Sequence, residues 1–184
     1  MKENENKYDG DIAIVGGGII GSCLACLLGQ AGFKVILVDV DTKPKKSSIE
    51  NDPRVFAITI ASEKILKKTG AWSLLNEANI SSFRRMHVWD ENGTGEIRFE
   101  SASICEPTMG YIIPHQVILD ALHKKIRDLE NVIYISGVSP VLIKNETNAI
   151  TLGIDNGQQY RTKLIVAADG SNSKVRELSN IYYS

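Results

Sequence analysis

The stretch DIAIVGGGIIGSCLACLLG, residues 11–29, decides how the chain is read. An apolar run of strand length, Ile12 to Val15, meets three consecutive glycines and then a helical run over residues 19–30 that carries Cys23-x-x-Cys26. A second β-rich run over residues 34–38 ends at Asp39. Strand, glycine turn, helix and strand in that order form a βαβ unit, and the crossover helix makes the two strands pair in parallel.

Gly16-x-Gly18-x-x-Gly21 has the spacing of a dinucleotide-binding turn. The first glycine permits the tight turn, the second lets backbone approach a pyrophosphate, and the third lets helix and strand close together. The helix N-terminus then faces the anion. Asp39 ends the second strand, where a carboxylate accepts hydrogen bonds from a ribose. A ligand-free tight turn has the same spacing. Strand, helix and distal acid together favour dinucleotide binding, without choosing between NAD and FAD.

The Cys-x-x-Cys pair lies inside the helix. A redox dithiol begins its helix at an exposed N-terminus, which lowers the first thiol's pKa; here a pyrophosphate would oppose a thiolate. A metal would need more ligands, and the remaining Cys105 is distant in sequence. Cys23 and Cys26 therefore read as core thiols. His87, His115 and His123 lack metal-ligand spacing and read as solvated or capping side chains.

Composition excludes several classes. The 184 residues are 43% apolar and 23% charged, as expected of a globular chain able to bury a core. A net charge of -1 offers no basic field for nucleic acid. The polar lead MKENENKYD resembles neither a signal nor a transit peptide, and no run approaches the roughly 18 apolar residues of a membrane span. Three cysteines without a secretory signal point to a reducing compartment, so the cytoplasm is the expected location.

Beyond a polar loop over residues 41–53, Ser62 is placed to cap a helix running to Lys68 and stopped at Gly70. Residues 84–90 and 96–100 flank Glu-Asn-Gly-Thr-Gly, a hairpin signal. Pro114 opens a helix with apolar residues at 118, 122, 126 and 129. After a strand over 131–136, residues 138–144, 149–154 and 158–161 form an antiparallel meander. A last apolar strand over 164–168 delivers Asp169-Gly170 to a turn before a short helix from Ser173. Ligands of open α/β sheets collect at the carboxyl ends of strands, which places Asp169 beside the first glycine turn. The competing reading is an Asp-Gly turn with a capping serine. Asp52-Pro53-Arg54, taken alone, is equally a surface ion pair leading into a strand.

GGGIIG, Asp39, DPRVFAIT, the Gly70-Ala71-Trp72 stop, VWD at 88–90, GYIIPHQVILDAL and ADGSNSKVREL occur in this order. Together they resemble the FAD-dependent aromatic hydroxylases of the p-hydroxybenzoate hydroxylase type, and among these the ubiquinone-biosynthesis hydroxylases. The resemblance implies an α/β fold: a Rossmann-like FAD-binding domain of the glutathione-reductase type, with a parallel sheet, an antiparallel β-meander and a partial substrate-domain hairpin. Residues 1–9 would be a disordered lead and 10–184 the FAD-binding domain, with 82–112 beginning an incomplete substrate-binding sheet.

Position by position, the resemblance gives Gly16, Gly18 and Gly21 the FAD pyrophosphate and Asp39 the adenosine ribose. Arg54 would approach the flavin, Gln116 would contact FAD, and the Val138 backbone would meet adenine. Asp169, with Gly170 and Arg176, would serve FAD and the NAD(P)H pyrophosphate together. The implied reaction spends NAD(P)H and O2 to place one oxygen on an electron-rich ring. Its substrate would be a polyprenylated phenol or quinol, bringing peripheral contact with a membrane. Because the flavin carries that chemistry, no acid–base residue is expected in this part.

The family is longer than this chain. Its second Gly-Asp motif, most of its substrate sheet and the helices closing the flavin site have no counterpart here. Exposed apolar surface is then expected, as is an isolated chain that does not hydroxylate, because protein positioning makes a cofactor selective. A second chain, or a longer product, would supply the rest. Two other readings stand beside this one: a truncated, non-enzymatic FAD-binding remnant, and a NAD-dependent dehydrogenase domain, against which the meander and Ala168-Asp169-Gly170 speak.

Overall fold

A computed structural model describes residues 8–42 and 53–182, which fall into two compact units, 1–46 with 122–184, and 47–121. Most of the lead, most of the polar loop, Asp52 and the last two residues, Tyr183 and Ser184, lie outside the described residues. Elements are numbered along the whole chain.

The first unit is built on β1 (Ile12–Val15), α1 (Ile19–Gln30) and β2 (Val35–Asp39), which realise the expected βαβ unit. With β8 (Val132–Ser136) and β12 (Leu164–Ala167) they form a parallel sheet in the order β12-β1-β2-β8. Its registers pair Ile12 with Leu164 and Val35, and Val35 with Val132. The central strands are continuous apolar runs because a parallel sheet is covered on both faces. Val35, Ile36, Leu37 and Val38 are all fully buried.

Alternation selects which residues meet the meander. Ala13, Val15, Ile36 and Val38 share a buried cluster with Val138, Leu152, Ile154 and Val175. The meander is β9 (Pro140–Asn145), β10 (Ile150–Ile154) and β11 (Gln159–Thr162), antiparallel in the order β11-β10-β9. Tyr8 and Asp9, assigned above to a disordered lead, are tied to it. The Tyr8 hydroxyl donates to the Asn148 carbonyl at 2.6 Å, and the Asp9 amide donates to the Arg161 carbonyl at 2.8 Å. The unit closes with α4 (Lys174–Leu178), capped by Ser173, whose Oγ accepts from the Arg176 amide.

The second unit holds a three-stranded antiparallel sheet in the order β3-β7-β4, from β3 (Val55–Thr59), β4 (Ser81–Phe83) and β7 (Gly110–Pro114). The central strand β7 was not anticipated, because GYIIP is short and its proline reads as a helix opener. Pro114 instead ends the strand opposite Val55, and α3 (His115–Arg127) begins one residue later. The helical periodicity holds within it: Ile118, Leu122 and Ile126 are buried. The division between the units falls inside α3.

The helix α2 (Ile60–Thr69) corrects another expectation. Its cap is Thr59, whose Oγ1 accepts from the Ser62 amide at 3.3 Å, so Ser62 is the residue capped rather than the cap. Strand β3 runs straight into the helix, which leaves Thr59 in the extended conformation that capping needs. Gly70 ends α2 in the left-handed conformation, as expected. The hairpin forms as β5 (Arg85–Trp89) and β6 (Glu96–Glu100). Met86 pairs with Phe99 and Val88 with Ile97, and all four side chains are exposed.

Candidate functional site

The glycine turn joins β1 to α1, and its glycines do different work. Gly16 has φ +107, and a Cβ there would overlap the Ala168 carbonyl of the neighbouring strand end. A side chain at that position is excluded by backbone conformation and by space together. A Cβ at Gly21 would overlap the Gly16 carbonyl, so the helix lies directly on the turn. At Gly18 a Cβ would meet nothing within 4 Å. Gly18 is exposed and heads α1 without a side-chain cap, and no acidic residue stands in the first turn. The unsatisfied amides of a helix N-terminus therefore open outward at Gly18, as a phosphate group requires.

Gly17 was given no role above, yet it is enclosed by side chains. A Cβ there would come 2.5 Å from Asp39 Oδ2 and 2.9 Å from the Tyr134 hydroxyl. The Gly17 amide donates to Asp39, as do the amides of Val40 and Asp41, the latter at 3.3 Å. The Gly17 carbonyl accepts from Ser22 Oγ at 2.8 Å and is 3.1 Å from His123 Nε2. Tyr134 donates its hydroxyl to Asp39, and its ring lies 5.0 Å from that of His123. Burial raises the Asp39 pKa, opposed by the backbone amides. Burial likewise pushes the Tyr134 phenol up to about 12, with the Asp39 carboxylate beside it adding to the shift.

His123 requires a correction. It is buried beneath the turn, not solvated. Its partner Gly17 stands 106 residues away in sequence, and helical periodicity alone carries no sign of that contact. His115 is half-buried in the second unit, with its Nδ1 3.4 Å from Arg54 and its ring 5.4 Å from Phe56. Only His87 is exposed, 3.0 Å from Glu96 Oε2 on the hairpin.

The pairing of β12 with β1 sets the Asp169 turn against Gly16. Asp169 is engaged locally: Oδ1 accepts from Ser173 Oγ at 2.6 Å and Oδ2 from the Val175 amide at 3.1 Å. Gly170 follows at φ +79 with open space around it. Arg176 donates to the Ser171 carbonyl at 2.9 Å. Val138 is buried and gives its amide to the Asp39 carbonyl at 3.0 Å. Gly16, Gly18, Gly21, Asp39, Val138, Asp169 and Gly170 thus all belong to the first unit, with the glycine turn, Asp39 and Asp169 at the carboxyl ends of adjacent strands. Arg54 and Gln116 belong to the second unit. There Gln116 is buried and donates to Asp120 at 2.7 Å.

Cys23 and Cys26 are free thiols of α1. Burial pushes the Cys23 thiol up to about 11 and the Cys26 thiol up to about 12. Cys26 Sγ lies 3.7 Å from the Leu122 carbonyl, its hydrogen-bond acceptor.

Comparison with known proteins agrees with this geometry. A family model described as an FAD binding domain matches residues 9–183. The 3-demethoxyubiquinol 3-hydroxylase of Escherichia coli (strain K12) is 31% identical over 93% of the chain. The mitochondrial ubiquinone biosynthesis monooxygenase COQ6 of Caenorhabditis elegans is 34% identical over 95%. The chain spans only 44% and 41% of these two relatives' lengths. Among solved structures, p-nitrophenol 4-monooxygenase PnpA from Pseudomonas putida DLL-E4 superposes with a TM-score of 0.75 at 20% identity, covering 95% of this chain and 44% of that one. A variant of PqsL from P. aeruginosa reaches 0.77 at 21% identity, covering 95% and 47%. These likenesses establish the Rossmann-like α/β fold. The chain belongs to the FAD-binding domain family of flavin monooxygenases, and its homologues include ubiquinone-biosynthesis hydroxylases.

Proposed function

We propose that this member of the FAD-binding domain family is the cofactor-holding part of a hydroxylase acting on the aromatic ring of a ubiquinone precursor. The observation that carries the reading is the turn itself: an uncapped helix N-terminus open at Gly18, with a carboxylate, Asp39, beside it at the next strand end. Amides at the head of α1 would hold the FAD pyrophosphate, and Asp39 would accept hydrogen bonds from the adenosine ribose. Bound FAD supplies the redox chemistry, with NAD(P)H as reductant and O2 as the oxygen source. The chain's own contribution is to bind and orient. Arg54 and Gln116 are assigned to the flavin side, Val138 to adenine, and Asp169 with Gly170 to the pyrophosphates.

The substrate class proposed is a polyprenylated phenol or quinol, taken up at a membrane surface. No helix among the described residues is long and apolar enough to cross a membrane. The exposed apolar face of the β5–β6 hairpin supports a requirement for further polypeptide before hydroxylation can occur. The test is purification followed by an absorbance spectrum and titration with FAD and, separately, NAD. A flavin spectrum or saturable FAD binding is expected. Binding of NAD with none of FAD would overturn the reading in favour of a dehydrogenase domain. Ring hydroxylation by the 184 residues alone would overturn the need for more chain.

A further inference from the structure

Beneath the glycine turn, groups from four elements close into a ring of contacts. The Gly17 amide donates to Asp39, Asp39 accepts from the Tyr134 hydroxyl, the Tyr134 ring packs on His123, and His123 Nε2 meets the Gly17 carbonyl. Ser22 Oγ holds that carbonyl from the helix side. All of these residues belong to one compact unit. A carboxylate at a strand end has rotamers open to it, and only some of them face a ribose. Tyr134, on the neighbouring strand β8, removes that freedom from one side while the Gly17 peptide removes it from the other.

We propose that Tyr134, backed by His123, is a positioning residue that presents the Asp39 carboxylate to the cofactor's adenosine ribose. The inference rests on the FAD reading above and adds to it a residue that no glycine fingerprint contains. A hydroxyl donated to the carboxylate fixes the direction in which its oxygens face the ribose hydroxyls. It also favours the ionised form, which is the form that accepts. The enclosure explains why the turn reads Gly-Gly-Gly: any side chain at position 17 would strike the Asp39–Tyr134 pair.

The experiment compares the wild type, Tyr134→Phe, Asp39→Asn and the double variant. FAD affinity is measured against pH, with melting of the unliganded proteins alongside. Loss of one hydrogen bond to a charged group corresponds to roughly tenfold weaker FAD binding. Tyr134→Phe should show that loss, with unliganded melting lowered only at pH values where Asp39 is ionised. Without the phenol the carboxyl protonates more readily, so the acid limb of its affinity profile should move to higher pH. The other groups bearing on Asp39 are Asp41, whose charge raises its pKa, and His123 behind the phenol ring; both are unchanged in the variant.

In the Asp39→Asn background, Tyr134→Phe should add little. Wild-type FAD affinity in Tyr134→Phe would overturn the proposal, as would a penalty that persists undiminished without Asp39. A wild type that fails to bind FAD would sink the FAD reading itself. The Asp39 carboxyl carbon can then be titrated by NMR in unliganded wild type and Tyr134→Phe. An identical titration in both would show that Tyr134 does not hold Asp39, and would overturn the positioning role independently of any ligand.

Discussion

The glycine turn and the β5–β6 hairpin are both short connections between regular elements, and they are built on opposite principles. Around the turn, each glycine but Gly18 is pressed against backbone or a carboxylate, and the flanking strands are buried. On the hairpin every strand residue is exposed, and Met86, Val88, Ile97 and Phe99 form one unpartnered apolar face. A two-stranded ribbon is marginal alone in water. The turn is enclosed on every side but Gly18, whereas the hairpin turns its apolar face outward.

The largest test of that contrast is a matched pair of truncations. Ile36→Ala removes a fully buried side chain and should cost about 2–5 kcal/mol, while Ile97→Ala on the hairpin should stay within about 0.5 kcal/mol. Urea midpoints measure both. A comparable loss at Ile97 would mean that the ribbon is already packed. Next, Gly16→Ala combines a positive φ with overlap on the Ala168 carbonyl and should cost roughly 1–3 kcal/mol. Gly18→Ala, facing open space, should leave unliganded stability nearly unchanged and reduce FAD binding.

Ser173→Ala removes the cap of α4 and should cost about 1 kcal/mol by thermal melting. An unchanged melting temperature would show that Asp169 alone suffices to start the helix.

The smallest effect concerns Asp39. Its folded pKa is raised by burial, so the native state binds the proton more tightly than the unfolded chain. Stability from this group is then present below the unfolded value, near 3.8, and is lost as pH rises through the folded value. Asp39→Asn should abolish that loss, making the unliganded chain slightly more stable at neutral pH while weakening FAD binding. A melting curve that shows no gain at neutral pH would argue that the amides of Gly17, Val40 and Asp41 already offset the burial.

The βαβ unit was legible because its signals are local: an apolar run, glycines at fixed spacing, and an acid at the next strand end. The hairpin and meander followed from turn residues for the same reason. Strand β7 was missed because five residues ending in proline carry two local readings, and pairing with β3 and β4 decides between them. Thr59 was missed as a cap because Ser62 offers the same chemistry three residues later. His123 was misread because its helix shows only that the position is near a buried face, not what lies there.

Glycine spacing, apolar periodicity and the place of Asp39 determined by themselves that this chain builds a dinucleotide-type turn, since each acts over a few residues of backbone. Only the tertiary structure decided that Gly17 is enclosed, that His123 and Tyr134 stand behind Asp39, and that the Asp169 turn lies against Gly16. Those contacts join residues far apart in sequence, and nothing local requires them. They exist because a parallel sheet sets the ends of β12, β1, β2 and β8 side by side.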